Sequence, residues 1–171
     1  VWRSPKVDSP DASQETSLEA PGPWMSIDVG RVRVGVAATD PERRLAFPVE
    51  TVPRGKSTVE RVASLVTERG IVAVFVGFPL TLAGREGPAV EDARRLAGAL
   101  AQRLAIPVRL IDERLSTSSA RASLRQAGRS ERRQRPVIDQ AAAVVILELA
   151  LDASKNGILG SLIKQAKQGE S

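Results

Sequence analysis

Six consecutive residues, Ile71 to Val76, are all apolar. A strand that is apolar at every position has no face to offer water, so it belongs inside a sheet covered on both sides. The flanking sequence supplies the covers. Before it, Ser57 with Glu60 three residues on reads as a capping box, Val59, Val62 and Val66 recur at helical spacing, and Gly70 stops the helix. After it, Pro88 stands as the first residue of a second helix, with Val90, Ala93, Leu96, Ala97, Leu100 and Leu104 as its buried stripe. Pro107 then opens another short apolar run, Val108 to Ile111, which ends in Asp112-Glu113-Arg114.

Upstream the pattern changes. Trp24 to Val29 reads as a strand, and Gly30-Arg31 as a tight turn. Val32, Val34 and Val36 alternate with Arg33 and Gly35, which predicts an antiparallel return. Leu45 to Val52 is a third strand, placed at an edge by Pro48. Past the acidic corner come a helix at about residues 117–127 and a basic loop from Arg129 to Arg135. A last apolar helix follows at about 139–151. Residues 1–23, with four prolines, read as a disordered extension. Residues 24–152 form the folded domain, and 153–171 are a polar tail with a short helix around 158–167. The expected architecture is α/β. Three antiparallel strands followed by parallel ones form a mixed five-stranded sheet with helices on both faces, the element order of the RNase H-like fold.

There is no Cys and no His. That removes zinc sites of the usual kind and every mechanism that needs a histidine base or a thiolate. Catalysis is left to carboxylates, hydroxyls, Lys, Arg or a hard metal ion. The absence of Cys fits a cytoplasmic protein. No segment reads as a signal peptide or membrane span, so no membrane partner is expected. Net charge is +5, and residues 109–135 alone hold eight Arg against three acids. The rest of the chain is neutral, so one basic segment faces an anionic partner. Two Trp and three Phe with no Tyr are too few for a base-stacking platform.

Three acids stand where the predicted elements converge. Asp28 is disfavoured inside a central strand and needs a reason, either a metal or a turn hydrogen bond at Gly30. Taken singly, Glu113 reads as a surface partner for Arg114 or Arg121, and Asp139 as the N-cap of the last helix. Taken together they say more. With the first strand central, the fourth beside it and the fifth beyond, strands one and five lie about 10 Å apart. An Asp on one and a Glu on the other close that gap, and the final helix brings Asp139 to the same corner. Carboxylates without His or Cys make a hard-oxygen site, suited to Mg²⁺ or Mn²⁺ and to phosphodiester hydrolysis.

Four motifs carry a family resemblance. They are Asp28-Val29-Gly30 with Arg33 and Gly35; Val76-Gly77-Phe78-Pro79-Leu80 with Gly84, Gly87 and Pro88; Asp112 to Thr117; and Val137 to Ala143. As a set over residues 24–152, the chain resembles the YqgF or RuvX family of RNase H-like nucleases. That family is described both as Holliday-junction-resolvase-like and as a nuclease trimming the 5′ end of pre-16S rRNA. The resemblance implies that Asp28, Glu113 and Asp139 are the catalytic, metal-binding acids. It also implies a nucleic-acid partner, precursor rRNA or branched DNA. The expected contacts to it are Arg33 and Arg114 beside the corner and Arg121 and Arg125 on the following helix. Arg129, Arg132, Arg133 and Arg135 continue the set in the loop. Where the family often has a small hydroxyl residue and then Lys, this chain has Arg31 and Val32. A resolvase requires a homodimer, whereas an rRNA trimmer can work as a monomer, so monomer and homodimer both stay open. A non-catalytic RNA-binding assembly factor is a further alternative. An actin-type ATPase would need a second such domain, for which the chain has no room.

Overall fold

The computed structural model describes residues 18, 20–79, 87–113, 135–157 and 162–163, the backbone alone at 78, 135–138 and 162–163. In chain order the elements are β1 (Trp24–Val29), β2 (Arg33–Thr39), β3 (Ala46–Pro53), α1 (Thr58–Arg69), β4 (Ala73–Phe78), α2 (Pro88–Arg103), β5 (Val108–Asp112), α3 (Arg135–Lys155) and β6 (Leu162–Ile163). They form one sheet in the order β3-β2-β1-β4-β5-β6. β1 pairs antiparallel with β2, and β2 with β3; β4 is parallel to both β1 and β5. The expected arrangement of five strands is present, with β1 central. None of the described helices is long and apolar enough to cross a membrane.

Alternation along the strands divides the core in two. Met25, Ile27, Val34, Val36, Val74 and Val76 face α1 and α2 and are fully buried with Val62 and Leu100. The opposite face carries Trp24, Ala37, Ala73, Phe75 and Ile111, covered by Ala143, Ile146, Leu147 and Ala150 of α3. Ser26, fully buried, donates its hydroxyl proton to the Ala143 carbonyl at 2.5 Å. Gln140 reaches β3 through a 2.9 Å bond to Thr51. These ties fix α3 over the central strands with its N-terminal end at the carboxyl end of β1.

Several expectations need correction. α3 starts at Arg135, four residues early, because Pro136 is preorganised for a first helical turn. Asp139 is therefore inside the helix and is not its N-cap. Arg135 opens the helix and does not end a loop. α3 also runs on to Lys155. In the tail, Leu162–Ile163 is a strand where a short helix was expected. It pairs antiparallel with Val108 and Arg109 and covers the otherwise open edge of β5. Ser57 makes no side-chain cap bond, its backbone standing at φ −94°, ψ −2° instead of the extended geometry of a capping residue, and Glu60 turns away to Arg103 at 2.7 Å. Thr58 closes that turn, its hydroxyl accepting from Gly55 N–H at 2.8 Å. The α1 stop is as read, with Gly70 in the left-handed region at φ 62°.

The folded body also begins before residue 24. Leu18 is buried in the α3-side core. Arg43, itself at φ 58°, donates to the carbonyls of Leu18 and Gly22 at 2.9 Å each and to that of Ala20. Its guanidinium lies 4.7 Å over the Trp24 ring. The helix expected at 117–127 and the loop from Arg129 lie outside the described residues, apart from Arg135.

Candidate active site

Asp28 is the next-to-last residue of β1, on the face that α3 covers. Its cross-strand partner on β2 is Gly35. On the other side the last pair is Ile27 with Val76, so Gly77 of β4 is the next neighbour, itself paired with Ile111 of β5. The central acid is thus flanked by a glycine on each adjoining strand. Both glycines are clearances. A Cβ on Gly35 would collide with the backbone carbonyl of Asp139, so α3 rests directly on β2 at this point. A Cβ on Gly77 would stand 2.5 Å from Glu113 Oε1 and 2.5 Å from Ile146 Cδ1. The Glu113 carboxylate therefore lies over β4, between β5 and Asp28.

The three acids expected to converge do so. Burial, then the negative charges of Glu113 and Asp139, raise the Asp28 carboxyl to about 7 from the usual carboxylate range. Desolvation and like charge both disfavour the ionised form. Asp139 is joined to Arg33 across 2.9 Å, from Nε to Oδ2. No group of three acids among the described residues is arranged to hold a metal ion as it stands. The donor set nevertheless suits a hard cation. It consists of oxygens alone, it concentrates negative charge against a half-buried carboxyl, and binding an ion would relieve the repulsion that raises Asp28.

Of the expected nucleic-acid contacts, Arg33 lies at the site, engaged with Asp139. Arg114, Arg121, Arg125, Arg129, Arg132 and Arg133 are outside the described residues, and so is the Arg135 side chain. The sequence reading missed a brace. Arg54, just after β3, donates to the Gly30 carbonyl at 2.9 Å and grips Asp92 of α2 bidentately at 2.8 and 2.9 Å. Its backbone N–H bonds the Val32 carbonyl at 2.9 Å, and Gly30 N–H closes the turn onto Arg33 at 2.9 Å. The β1–β2 turn next to Asp28 is thereby tied to α2, with Val32 exposed at its tip. Nothing in the local sequence pairs Arg54 with an acid 38 residues away.

Arg54→Ala should cost about 1–3 kcal/mol, as expected for a charge-assisted bidentate pair less than a third exposed. The hydrogen bond from Arg54 holds the Asp92 carboxyl below its usual range. A depressed carboxyl stabilises above its unfolded value and loses that contribution as pH falls. The gap between wild type and variant in chemical denaturation should therefore be full at pH 7 and shrink below about pH 4. A gap constant with pH would mean the pair contributes only packing.

A sheet in this order, with helices on both faces and acids gathered at the end of its central strand, defines the RNase H-like class of nuclease folds. Solved structures agree. RuvC of T. thermophilus in complex with a Holliday junction substrate superposes with a TM-score of 0.57 at 15% identity, covering 83% of this chain and 99% of that one. A second Thermus thermophilus RuvC structure gives 0.53 at 14% identity. At such identity the likeness is one of fold. The chain itself belongs to the RuvX family, a family of nucleases: the model described as "RuvX: Holliday junction resolvase" matches residues 22–153. Relatives named "Putative pre-16S rRNA nuclease" include one from Mycobacterium sp. (strain KMS), 57% identical over 135 residues, 77% of this chain and 80% of that protein. Another, from Clavibacter michiganensis, is 47% identical over 137 residues, 78% of this chain and 85% of its own length.

Proposed function

We propose that this chain is a divalent-metal-dependent nuclease that trims the 5′ end of precursor 16S rRNA in the cytoplasm. The observation that carries the reading is the crowding of Asp28, Glu113 and Asp139 around two glycine clearances, with Asp28 pressed to about 7. A half-buried acid cluster repels phosphate, so it serves hydrolysis only with a cation between them. Asp28, Glu113 and Asp139 would hold Mg²⁺ or Mn²⁺, which supplies water activation and charge neutralisation at the scissile phosphate. The half-buried acids exclude bulk water from one side. The arginines at 33, 114, 121, 125, 129, 132, 133 and 135 would hold the phosphate backbone, positioning substrate without reading sequence. Residues 24–152 would carry the activity. The substrate assignment draws on relatives 47–57% identical that bear the rRNA name.

A second reading is favoured by the family's description and by the RuvC likeness: cleavage of four-way DNA junctions, which would require a homodimer. One experiment separates them. Purified protein should cleave a precursor 16S 5′ end with Mg²⁺ or Mn²⁺ and lose all activity in EDTA, while sedimenting as a monomer. Symmetric nicking of the junction by a dimer, with the RNA untouched, would select the second reading. Undiminished cleavage in EDTA would reject both.

A further inference from the structure

We propose that Arg33 is a substrate-phosphate ligand held in reserve by Asp139 and released when a divalent ion takes that carboxylate. The inference rests on the metal-dependent reading above. Arg33 is the first residue of β2, on the turn that the Arg54–Asp92 brace fixes to α2. Its place relative to Asp28 is therefore set by the sheet. Its partner Asp139 is reached only through folding, 106 residues further along the chain. The bond between them is a single contact, Nε to Oδ2 at 2.9 Å, with the two side chains 31% and 23% exposed. Arg54 and Asp92, by contrast, share two bonds and a carbonyl anchor. A monodentate, partly solvated pair is cheap to open.

Two cations cannot share the Asp139 carboxylate at equal strength. A guanidinium is singly charged and diffuse, whereas Mg²⁺ or Mn²⁺ is compact and doubly charged. An ion entering among Asp28, Glu113 and Asp139 therefore displaces Arg33. The freed guanidinium stays beside the site, because the brace holds its backbone, and its planar fork matches a phosphate. Arg33 thus keeps the acid cluster partly neutralised while no ion is bound and turns toward substrate once one is. Ion and nucleic acid then favour each other's binding, as linkage requires.

The test compares wild type, Arg33→Gln and Arg33→Lys by Mn²⁺ calorimetry and by anisotropy binding of a labelled RNA stem-loop and a four-way DNA junction over a salt series. Binding is measured with Ca²⁺ and with EDTA. Arg33→Gln removes a competitor, so it should bind Mn²⁺ roughly 3- to 5-fold tighter than wild type. With Ca²⁺ its log-log salt slope should be shallower than wild type by about 0.7–0.9, one phosphate contact. In EDTA, where Asp139 engages Arg33, the slopes should coincide. Arg33→Lys keeps the charge and should retain the wild-type slope, with intermediate Mn²⁺ affinity; it carries the test if Arg33→Gln misfolds. Unchanged or weaker Mn²⁺ binding by Arg33→Gln, or an equal slope difference in EDTA, overturns the inference alone. Failure of wild type and variants alike to bind Mn²⁺ overturns the metal-dependent reading, and this inference with it.

Discussion

With divalent ions withheld, Asp28→Asn should melt well above wild type at pH 8, and with ions restored it should not cleave. In the folded chain the Asp28 carboxyl is raised to about 7 by burial and by Glu113 and Asp139. In the unfolded chain it titrates near 4. Between those values the native state keeps a proton that the unfolded state has released. Stability contributed by that proton is full below about pH 4, declines as pH rises, and is gone above about 7. Asn carries no charge to desolvate and avoids the loss. A separation of about three units sets a ceiling near 4 kcal/mol, so a gain on the order of 2–4 kcal/mol is expected at pH 8. For a chain of this size that is roughly 5–15 °C in Tm. The gain should vanish by about pH 4. Saturating Mg²⁺ or Mn²⁺ should reverse the order, because only wild type is stabilised by linkage. Loss of a residue that merely supports a metal ligand costs about 10–100-fold, so loss of a ligand should cost at least 100-fold in turnover. Calorimetric melts at pH 4, 6 and 8 with and without metal decide the matter. An Asn variant no more stable than wild type at pH 8 would mean that Asp28 is not held under electrostatic strain.

Much of this site is legible in the sequence because its acids lie where regular elements end. The all-apolar run at Ile71–Val76 places β4 inside the sheet, and a central β4 fixes β1 and β5 on either side of it. The convergence of Asp28 and Glu113 then follows from strand spacing alone. Asp139 is less legible. It precedes three alanines, so it resembles a helix cap, and only the start at Arg135 moves it inside the helix. Contacts that depend on register were not legible. Arg33 finds Asp139, and Arg54 finds Asp92, through packing of elements far apart in the chain. Ser57 and Glu60 carry the letters of a capping box, but Arg103 of α2 offers Glu60 two charge-assisted bonds and wins. Leu18 and the β6 residues sit in segments whose composition is polar on average, and an average hides one or two buried side chains.

Gly35 shows how far the site depends on clearance, and Gly35→Ala should show it most sharply. The added methyl group lies on the α3 face of β2, opposite Asp28, and meets the Asp139 carbonyl and, at 3.1 Å, the Gln140 nitrogen. Those atoms are helix backbone and cannot rotate aside, so α3 must lift or β2 must sink. Overpacking of this kind costs about 1–3 kcal/mol. The larger effect should fall on catalysis. Ser26 and Gln140 hold the same turns of α3, so a lift there displaces the Asp139 carboxylate relative to Asp28 and Glu113. A displacement of about 1 Å costs on the order of 100-fold in rate. Gly77→Ala makes the contrast. Its obstacles are the ends of Glu113 and Ile146, which can swing away, so stability should fall less while turnover still drops as Glu113 is turned out. Gly98→Ala on α2 meets nothing within 4 Å and should be neutral or slightly stabilising, with wild-type activity. Stability by denaturation and turnover at saturating substrate should be measured on all three. If Gly35→Ala turns over at the wild-type rate, close seating of α3 on β2 is not what sets the geometry of the acids.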